Sequence, residues 1–123
     1  MKKIIIFSAI LGSVLAASVA VFANKTSAKI DAPDTVAKGA EVTIKVTYSH
    51  TGNNFMHYTN WASIKANGKE IARWDFSSNK RPEDEVFVRE IKYTVKEPVE
   101  IEAQGNCNIH GSAGIEKKKI DLK

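Results

Sequence analysis

Hydrophobic and polar residues alternate along most of this chain, and a period of two is typical of β-strands that bury one face. The clearest case is "EVTIKVTY" at residues 41–48, where the apolar positions share one face: Val42, Ile44, Val46 and Tyr48. The same alternation of apolar and polar residues recurs in four later segments: "EIARWDF", "EVFVREIKYTV", "VEIEAQG" and "IEKKKIDL". The dipeptide Asn67–Gly68 between "WASIKA" and "KEIARW" predicts a tight hairpin. No window after the N-terminal segment shows a helical stripe.

The number and spacing of these segments predict one small all-β domain. About seven short strands in about 100 residues are typical of an immunoglobulin-like β-sandwich with two sheets. The chain holds a single cysteine. One thiol cannot form an internal disulfide, so the core alone must hold this sandwich together.

The first residues differ from the rest and predict export. "MKK" is positively charged, "IIIFSAILGSVLAASVAVF" is apolar, and "VFA" offers small residues for cleavage after Ala23. This is the layout of a secretory signal peptide. We therefore expect a signal peptide at 1–23 and a mature domain at 24–123 in the periplasm or medium of a bacterium or archaeon. The alternative is an apolar segment that stays attached as a membrane anchor; after cleavage we expect no stable membrane association.

The net charge of the chain argues against a nucleic-acid partner. The whole chain has 18 Lys and Arg against 14 Asp and Glu. Removing Lys2 and Lys3 with the signal leaves 18 − 2 = 16 against 14, a net charge of +2. A nucleic-acid-binding protein would carry a basic stripe with interleaved aromatic residues, so we expect no nucleic-acid partner. No Ser/His/Asp or paired-carboxylate arrangement indicates a hydrolase.

The three histidines and the cysteine carry the candidate chemistry. His50, His57 and His110 all fall at predicted strand ends or in loops, and "GNCNIHG" places Cys107 three residues before His110. The glycines and asparagines around this C-x-x-H pair let the loop wrap around a centre. Imidazole and thiolate ligands suit iron, copper or zinc and not magnesium or calcium. Ligand counting leaves these three metals open, and a buried structural cysteine is the other interpretation.

"CNIHG" at 107–111, together with His50, His57 and Trp61, resembles the iron-binding domain of the desulfoferrodoxin and neelaredoxin family, the superoxide reductases. The motifs run from Glu41 to the C-terminus. The resemblance implies an immunoglobulin-like sandwich around one mononuclear non-haem iron. It places His50, His57 and His110 in equatorial positions and Cys107 in the axial one, with no catalytic residue beyond the metal centre.

The implied activity is the reduction of superoxide to hydrogen peroxide, with a redox protein as electron donor and copper as the second choice of metal. The sequence departs from the family pattern in its ligands, because residues 24–49 contain no histidine. The fourth equatorial histidine and the Glu-Lys pair before it are therefore missing. A non-catalytic metal-binding or electron-transfer protein stays open, as do a sandwich that only binds proteins and the formation of a homo-oligomer.

Overall fold

The computed structural model describes residues 25–123, and every regular element in that range is a β-strand. The strands are β1 (Ser27–Asp31), β2 (Thr35–Val36), β3 (Ala40–Ser49), β4 (Thr59–Ala66), β5 (Lys69–Asp75), β6 (Val86–Val95), β7 (Val99–Cys107) and β8 (Glu116–Leu122). No helix in the described range is long and apolar enough to span a membrane. The predicted signal peptide at 1–23 lies outside the described residues.

The strands form two sheets. One has the order β1-β3-β6 and the other the order β2-β8-β7-β4-β5. Neighbouring strands run antiparallel, except that β2 pairs with β8 in parallel. This confirms the predicted all-β sandwich. The described residues form eight strands where about seven were predicted, and the two-residue β2 is a strand that the hydrophobic pattern does not mark.

The apolar residues that alternate with polar ones along the strands form the core between the two sheets. The apolar positions of β3 predicted to share a face are all buried, and in β7 Val99, Ile101 and Ala103 are buried as well. Burying each of the larger aliphatic side chains contributes about 1.5–3 kcal/mol to folding. The predicted hairpin between β4 and β5 is also present. Asn67 and Gly68 both have positive φ, 48° and 81°, as a two-residue hairpin turn of type I′ requires.

The segments that carry the candidate metal ligands lie together at one end of the sandwich. Thr59 at the start of β4 pairs with Cys107 at the end of β7, and β3 ends nearby at Ser49. His50 is the next position of the inward series of β3, and Cys107 is the last inward position of β7. Both are buried, with 4% and 1% of their surface exposed. The alternation that makes the core therefore also aims these two side chains inward.

Candidate metal centre

Three of the four predicted ligands converge at this end of the sandwich. The ligand atoms of His50, His57 and Cys107 all lie within 4.8 Å of one another. His50 follows β3, His57 precedes β4 and Cys107 ends β7. His110, the fourth predicted ligand, is not part of this three-residue group, but it contacts His57 and Cys107, as described below. We call these four residues the His–Cys cluster.

The ring of His50 is oriented by the loop that follows it. Its Nδ1 lies 2.8 Å from the carbonyl oxygen of Gly52. Because a carbonyl oxygen only accepts hydrogen bonds, Nδ1 carries the proton in this contact. The neutral ring then has its lone pair on Nε2, which is the arrangement that a metal-binding imidazole needs.

The sulfur of Cys107 lies inside a tight loop. The backbone N–H groups of Ile109 and His110 point at Sγ from 3.4 and 3.3 Å. The loop is closed by two backbone hydrogen bonds between Cys107 and Gly111, of 2.9 and 3.0 Å. Two N–H donors stabilise negative charge on the sulfur, and a thiolate is the form that binds metal.

His110 lies at the exposed side of the cluster. Its Nδ1 is 3.1 Å from Nε2 of His57 and 3.8 Å from Sγ of Cys107. The C-x-x-H spacing therefore brings both side chains to one place, as the sequence predicts. His110 itself is exposed, whereas Cys107 is buried.

These distances fit one transition-metal ion. Two nitrogens bound at about 2.1 Å and at right angles lie about 3.0 Å apart, close to the 3.1 Å between His57 and His110. The ligand atoms of the three-residue group lie within 4.8 Å of one another, on the scale of one coordination sphere. The group contains imidazole and thiolate donors and no carboxylate. This donor set suits iron, copper or zinc.

Asn108 ties the two loops of the cluster together. Its side-chain oxygen accepts a hydrogen bond from the N–H of Tyr58 (3.0 Å), and its side-chain nitrogen donates to the carbonyl oxygen of Met56 (3.0 Å). Its own N–H donates to the carbonyl oxygen of Tyr58 (3.1 Å). His57 lies between the two anchored residues. This role was not predicted from the sequence, although the asparagine directly after Cys107, inside the C-x-x-H motif, is the available signal.

Gly52 also positions residues of the cluster, and this role was not predicted from the sequence. It has a φ of +123°, and a Cβ atom there would lie 2.6 Å from Nδ1 of His57. Only glycine leaves room for the His57 ring at this position. Gly52 thus contacts two cluster residues, since its carbonyl oxygen orients His50. From the sequence, this glycine indicated only a turn.

The rim of the cluster is apolar and exposed. Phe55, Met56 and Ile109 have 67%, 65% and 61% of their surface exposed. Trp61, which is part of the sequence resemblance, lies in β4, and the guanidinium of Arg73 lies 4.9 Å from its ring centroid. In the described structure Trp61 therefore packs beside an arginine.

A family model described as desulfoferrodoxin matches residues 18–113. This chain belongs to the desulfoferrodoxin family. The match begins before Glu41, where the sequence motifs begin, and it ends ahead of the last strand. No curated protein matches the sequence.

Solved structures similar to this member of the desulfoferrodoxin family include a superoxide reductase and a putative superoxide reductase. The superoxide reductase (neelaredoxin) from Ignicoccus hospitalis is 20% identical, with 80% of this chain and 83% of that chain covered and a TM-score of 0.65. A putative superoxide reductase from Thermotoga maritima is also 20% identical, with 79% and 86% covered and a TM-score of 0.60.

A third similar structure is a sulfur carrier protein and not a superoxide reductase. The sulfur carrier protein SoxY from Chlorobium limicola f thiosulfatophilum is 15% identical, with 94% of this chain and 98% of that chain covered and a TM-score of 0.56. Likeness at these identities shows the fold, and one fold serves more than one function. The function must therefore be argued from the site.

The His–Cys cluster uses every histidine in the chain, since there are only three. No fourth imidazole is available to a metal in this desulfoferrodoxin-family protein. Burial raises the pKa of Tyr48, which lies two positions before His50 in the inward series of β3.

Proposed function

We propose that this protein is an exported mononuclear non-haem iron protein that reduces superoxide to hydrogen peroxide at the His–Cys cluster. The observation that carries the proposal is the convergence of imidazole and thiolate donors on one point, in a member of the desulfoferrodoxin family. The similarity in fold to the superoxide reductase from Ignicoccus hospitalis supports it.

Iron bound at the cluster would supply the electron for the one-electron reduction. The residues of this chain would hold the geometry for it. The carbonyl oxygen of Gly52 orients His50, and two backbone N–H groups stabilise negative charge on Cys107. Each superoxide takes up one electron and two protons to become hydrogen peroxide. The exposed side of the cluster at His110 gives solvent access for these protons.

Ligation is tested by metal content and an optical spectrum of the purified protein. A thiolate bound to ferric iron gives a visible charge-transfer band, and Cys107→Ser should abolish the band while the β fold stays intact. A band that survives this substitution would show that Cys107 is not the thiolate ligand.

The imidazoles are tested one at a time. His50→Ala, His57→Ala and His110→Ala should each remove most of the bound iron, since only three histidines are available. Phe55→Ala is the matched control, because it alters an exposed side chain of the loop between His50 and His57 that has no ligand atom. Iron loss equal to that of the control would remove the tested histidine from the ligand set.

Activity is tested by pulse radiolysis of the reduced, iron-loaded protein. We expect a second-order reaction with superoxide that yields hydrogen peroxide, slower than that of a four-histidine relative. If the metal stays bound and the reduced protein does not react, the reductase proposal fails.

The second candidate is a non-catalytic protein that binds iron or copper and transfers electrons. The absence of a fourth histidine favours it, because the ligand set differs from the one that the resemblance implies. A reversible one-electron potential, combined with no reaction with superoxide, would establish this function in place of the first.

Export is part of the proposal and rests on residues 1–23 of the sequence. We propose that cleavage leaves a mature chain beginning at Asn24, in the periplasm or medium, where a redox protein supplies electrons. Mass spectrometry of the protein from its native host tests this. A chain that retains residues 1–23 would contradict cleavage and leave the membrane anchor as the explanation.

A further inference from the structure

Buried polar side chains gather at the end of the sandwich that holds the His–Cys cluster. In the range that the structure describes, four polar side chains are buried: Thr26, His50, Thr59 and Ser63. His50 belongs to the cluster, and the hydroxyl oxygens of Thr26 and Thr59 lie 2.9 Å apart in a buried hydrogen bond. A buried hydroxyl without a partner costs free energy, so each of these two hydroxyls stabilises the other.

The backbone of Thr26 is tied to the loop that surrounds the sulfur of Cys107. Its N–H donates to the carbonyl oxygen of Gly111 (3.3 Å), and its own carbonyl oxygen accepts a hydrogen bond from the N–H of Ala113 (2.9 Å). The carbonyl oxygen of Gly111 also accepts the hydrogen bond from the N–H of Cys107 that closes the loop (2.9 Å). One acceptor therefore joins the segment before β1 to the cysteine.

The side chain of Thr26 fills a space that Gly105 leaves open in β7. A Cβ atom at Gly105 would lie 2.4 Å from Cγ2 of Thr26 and 3.1 Å from Cδ1 of Tyr48. The φ angle of Gly105 is not positive, so this glycine provides space and not a special backbone conformation. Gly105 lies two residues before Cys107 on the same inward face of β7. The methyl group of Thr26 therefore packs against the inward position next to the cysteine.

Thr59 connects Thr26 to the segment that carries His57. It lies opposite Cys107 in the ladder between β4 and β7, and it follows His57 by two residues. Thr26 is bonded through its hydroxyl to this segment and through its backbone to the loop that contains Cys107. One buried residue thus fixes two of the segments that carry cluster residues relative to each other.

We propose that Thr26 is a positioning residue of the metal centre, which holds the Cys107 loop and the start of β4 in the arrangement that a metal needs. The proposal rests on the proposed binding of iron at the His–Cys cluster. Thr26 acts through Cys107, because its contacts are to the Thr59 hydroxyl, to Gly105 and to backbone groups of the loop. Loss of a group that orients a metal ligand lowers metal affinity about 10–100-fold.

Substitution by residues of similar shape separates the hydroxyl of Thr26 from its volume. Thr26→Val keeps a methyl group against Gly105 and leaves the Thr59 hydroxyl buried without its partner. Thr26→Ser keeps the hydroxyl and should rescue what Thr26→Val loses. Val95→Thr is the matched control, because it makes the reverse exchange at a fully buried position. Val95 pairs with Ala40 at the opposite end of the sandwich.

The first measurement uses the metal-free protein. Only 1% of the surface of Cys107 is exposed, so iodoacetamide reaches its sulfur only when the loop opens. At a fixed pH, we expect alkylation of Cys107 to be at least about tenfold faster in Thr26→Val than in the unaltered protein, and close to unaltered in Thr26→Ser. If Thr26→Val accelerates alkylation no more than Val95→Thr does, a general loss of stability explains the effect and the proposal is overturned.

The second measurement uses ferrous iron with a competing chelator, together with the charge-transfer band of the ferric protein. Thr26→Val should bind iron at least about tenfold more weakly and shift the band, whereas Thr26→Ser and Val95→Thr should leave both unchanged. Unaltered affinity and an unaltered band in Thr26→Val overturn the proposal. If the unaltered protein binds no iron, the proposed function fails, and the alkylation rates still decide whether Thr26 positions Cys107.

Discussion

Gly52→Ala should separate the positioning of the metal site from the stability of the fold. The new Cβ would lie 2.6 Å from Nδ1 of His57, whereas ordinary contacts begin near 3.4 Å. The ring must therefore move by about 3.4 − 2.6 = 0.8 Å, or the loop must move with it. Metal–ligand bonds tolerate about 0.2 Å. His57 would then bind the metal poorly. We expect the affinity for iron to fall about 10–100-fold, the range found when a group that orients a metal ligand is lost.

The chain offers a matched control for the backbone. Gly114 has a φ of +128°, close to the +123° of Gly52, but a Cβ there meets nothing within 4 Å. Both alanine variants should lower the free energy of unfolding of the metal-free protein by about 1–3 kcal/mol, the cost of holding a residue with a side chain in this conformation. Only Gly52→Ala should also lose metal affinity.

The assay pairs chemical unfolding of the metal-free variants with chelator competition for iron. Wild-type affinity in Gly52→Ala would refute the reasoning, because it would show that the His57 ring is not held against Gly52 when metal binds. Equal affinity losses in the two variants would refute it as well, since backbone strain alone would then explain them.

Other substitutions test the loops, the core and the surface. Asn108→Ala removes two side-chain hydrogen bonds to the neighbouring loop and should lower iron affinity about tenfold in the same chelator assay. Tyr48→Phe removes the hydroxyl that donates to the buried carbonyl of Ser63 (3.0 Å) and should cost about 1 kcal/mol in thermal unfolding. The hydrogen bond and charge of Arg89 hold the pKa of Glu83 below its ordinary value, so this contribution is present at neutral pH and lost as pH falls through the lowered pKa. Glu83→Gln should therefore weaken the decline in stability between pH 7 and about pH 3, measured by urea unfolding.

Alternation in the sequence was enough to predict the sandwich and part of its site. The inward series of β3 continues to His50, and that of β7 ends at Cys107, so a period of two places both side chains on the buried face. The tight turn at Asn67–Gly68 was predictable because its chemistry is local.

Contacts between distant segments were not predictable in this way. β2 is only two residues long and pairs in parallel with the end of β8, and nothing in its own sequence indicates that partner. The closeness of His57 to Gly52, and the bonds of Asn108 to the other loop, depend on how two irregular loops fold against each other. Periodicity carries no information about such loops, because each is defined by its own hydrogen bonds and φ values.

The His–Cys cluster and the hydrophobic core are held by different interactions. This difference predicts whether the protein needs the metal in order to fold. Ile44, Ile64 and Ile101 are fully buried between the sheets without help from a metal. The ligands are oriented by hydrogen bonds to backbone groups of the protein itself. We therefore expect the metal-free protein to fold, and iron to add stability only by mass action, about 2.7 kcal/mol at a free concentration one hundred times the dissociation constant. A small structural zinc domain behaves differently, because it unfolds when the metal is removed. If calorimetry shows that the metal-free protein unfolds in one cooperative transition, below that of the loaded protein, the fold does not require the metal; a metal-free protein without such a transition would contradict this expectation.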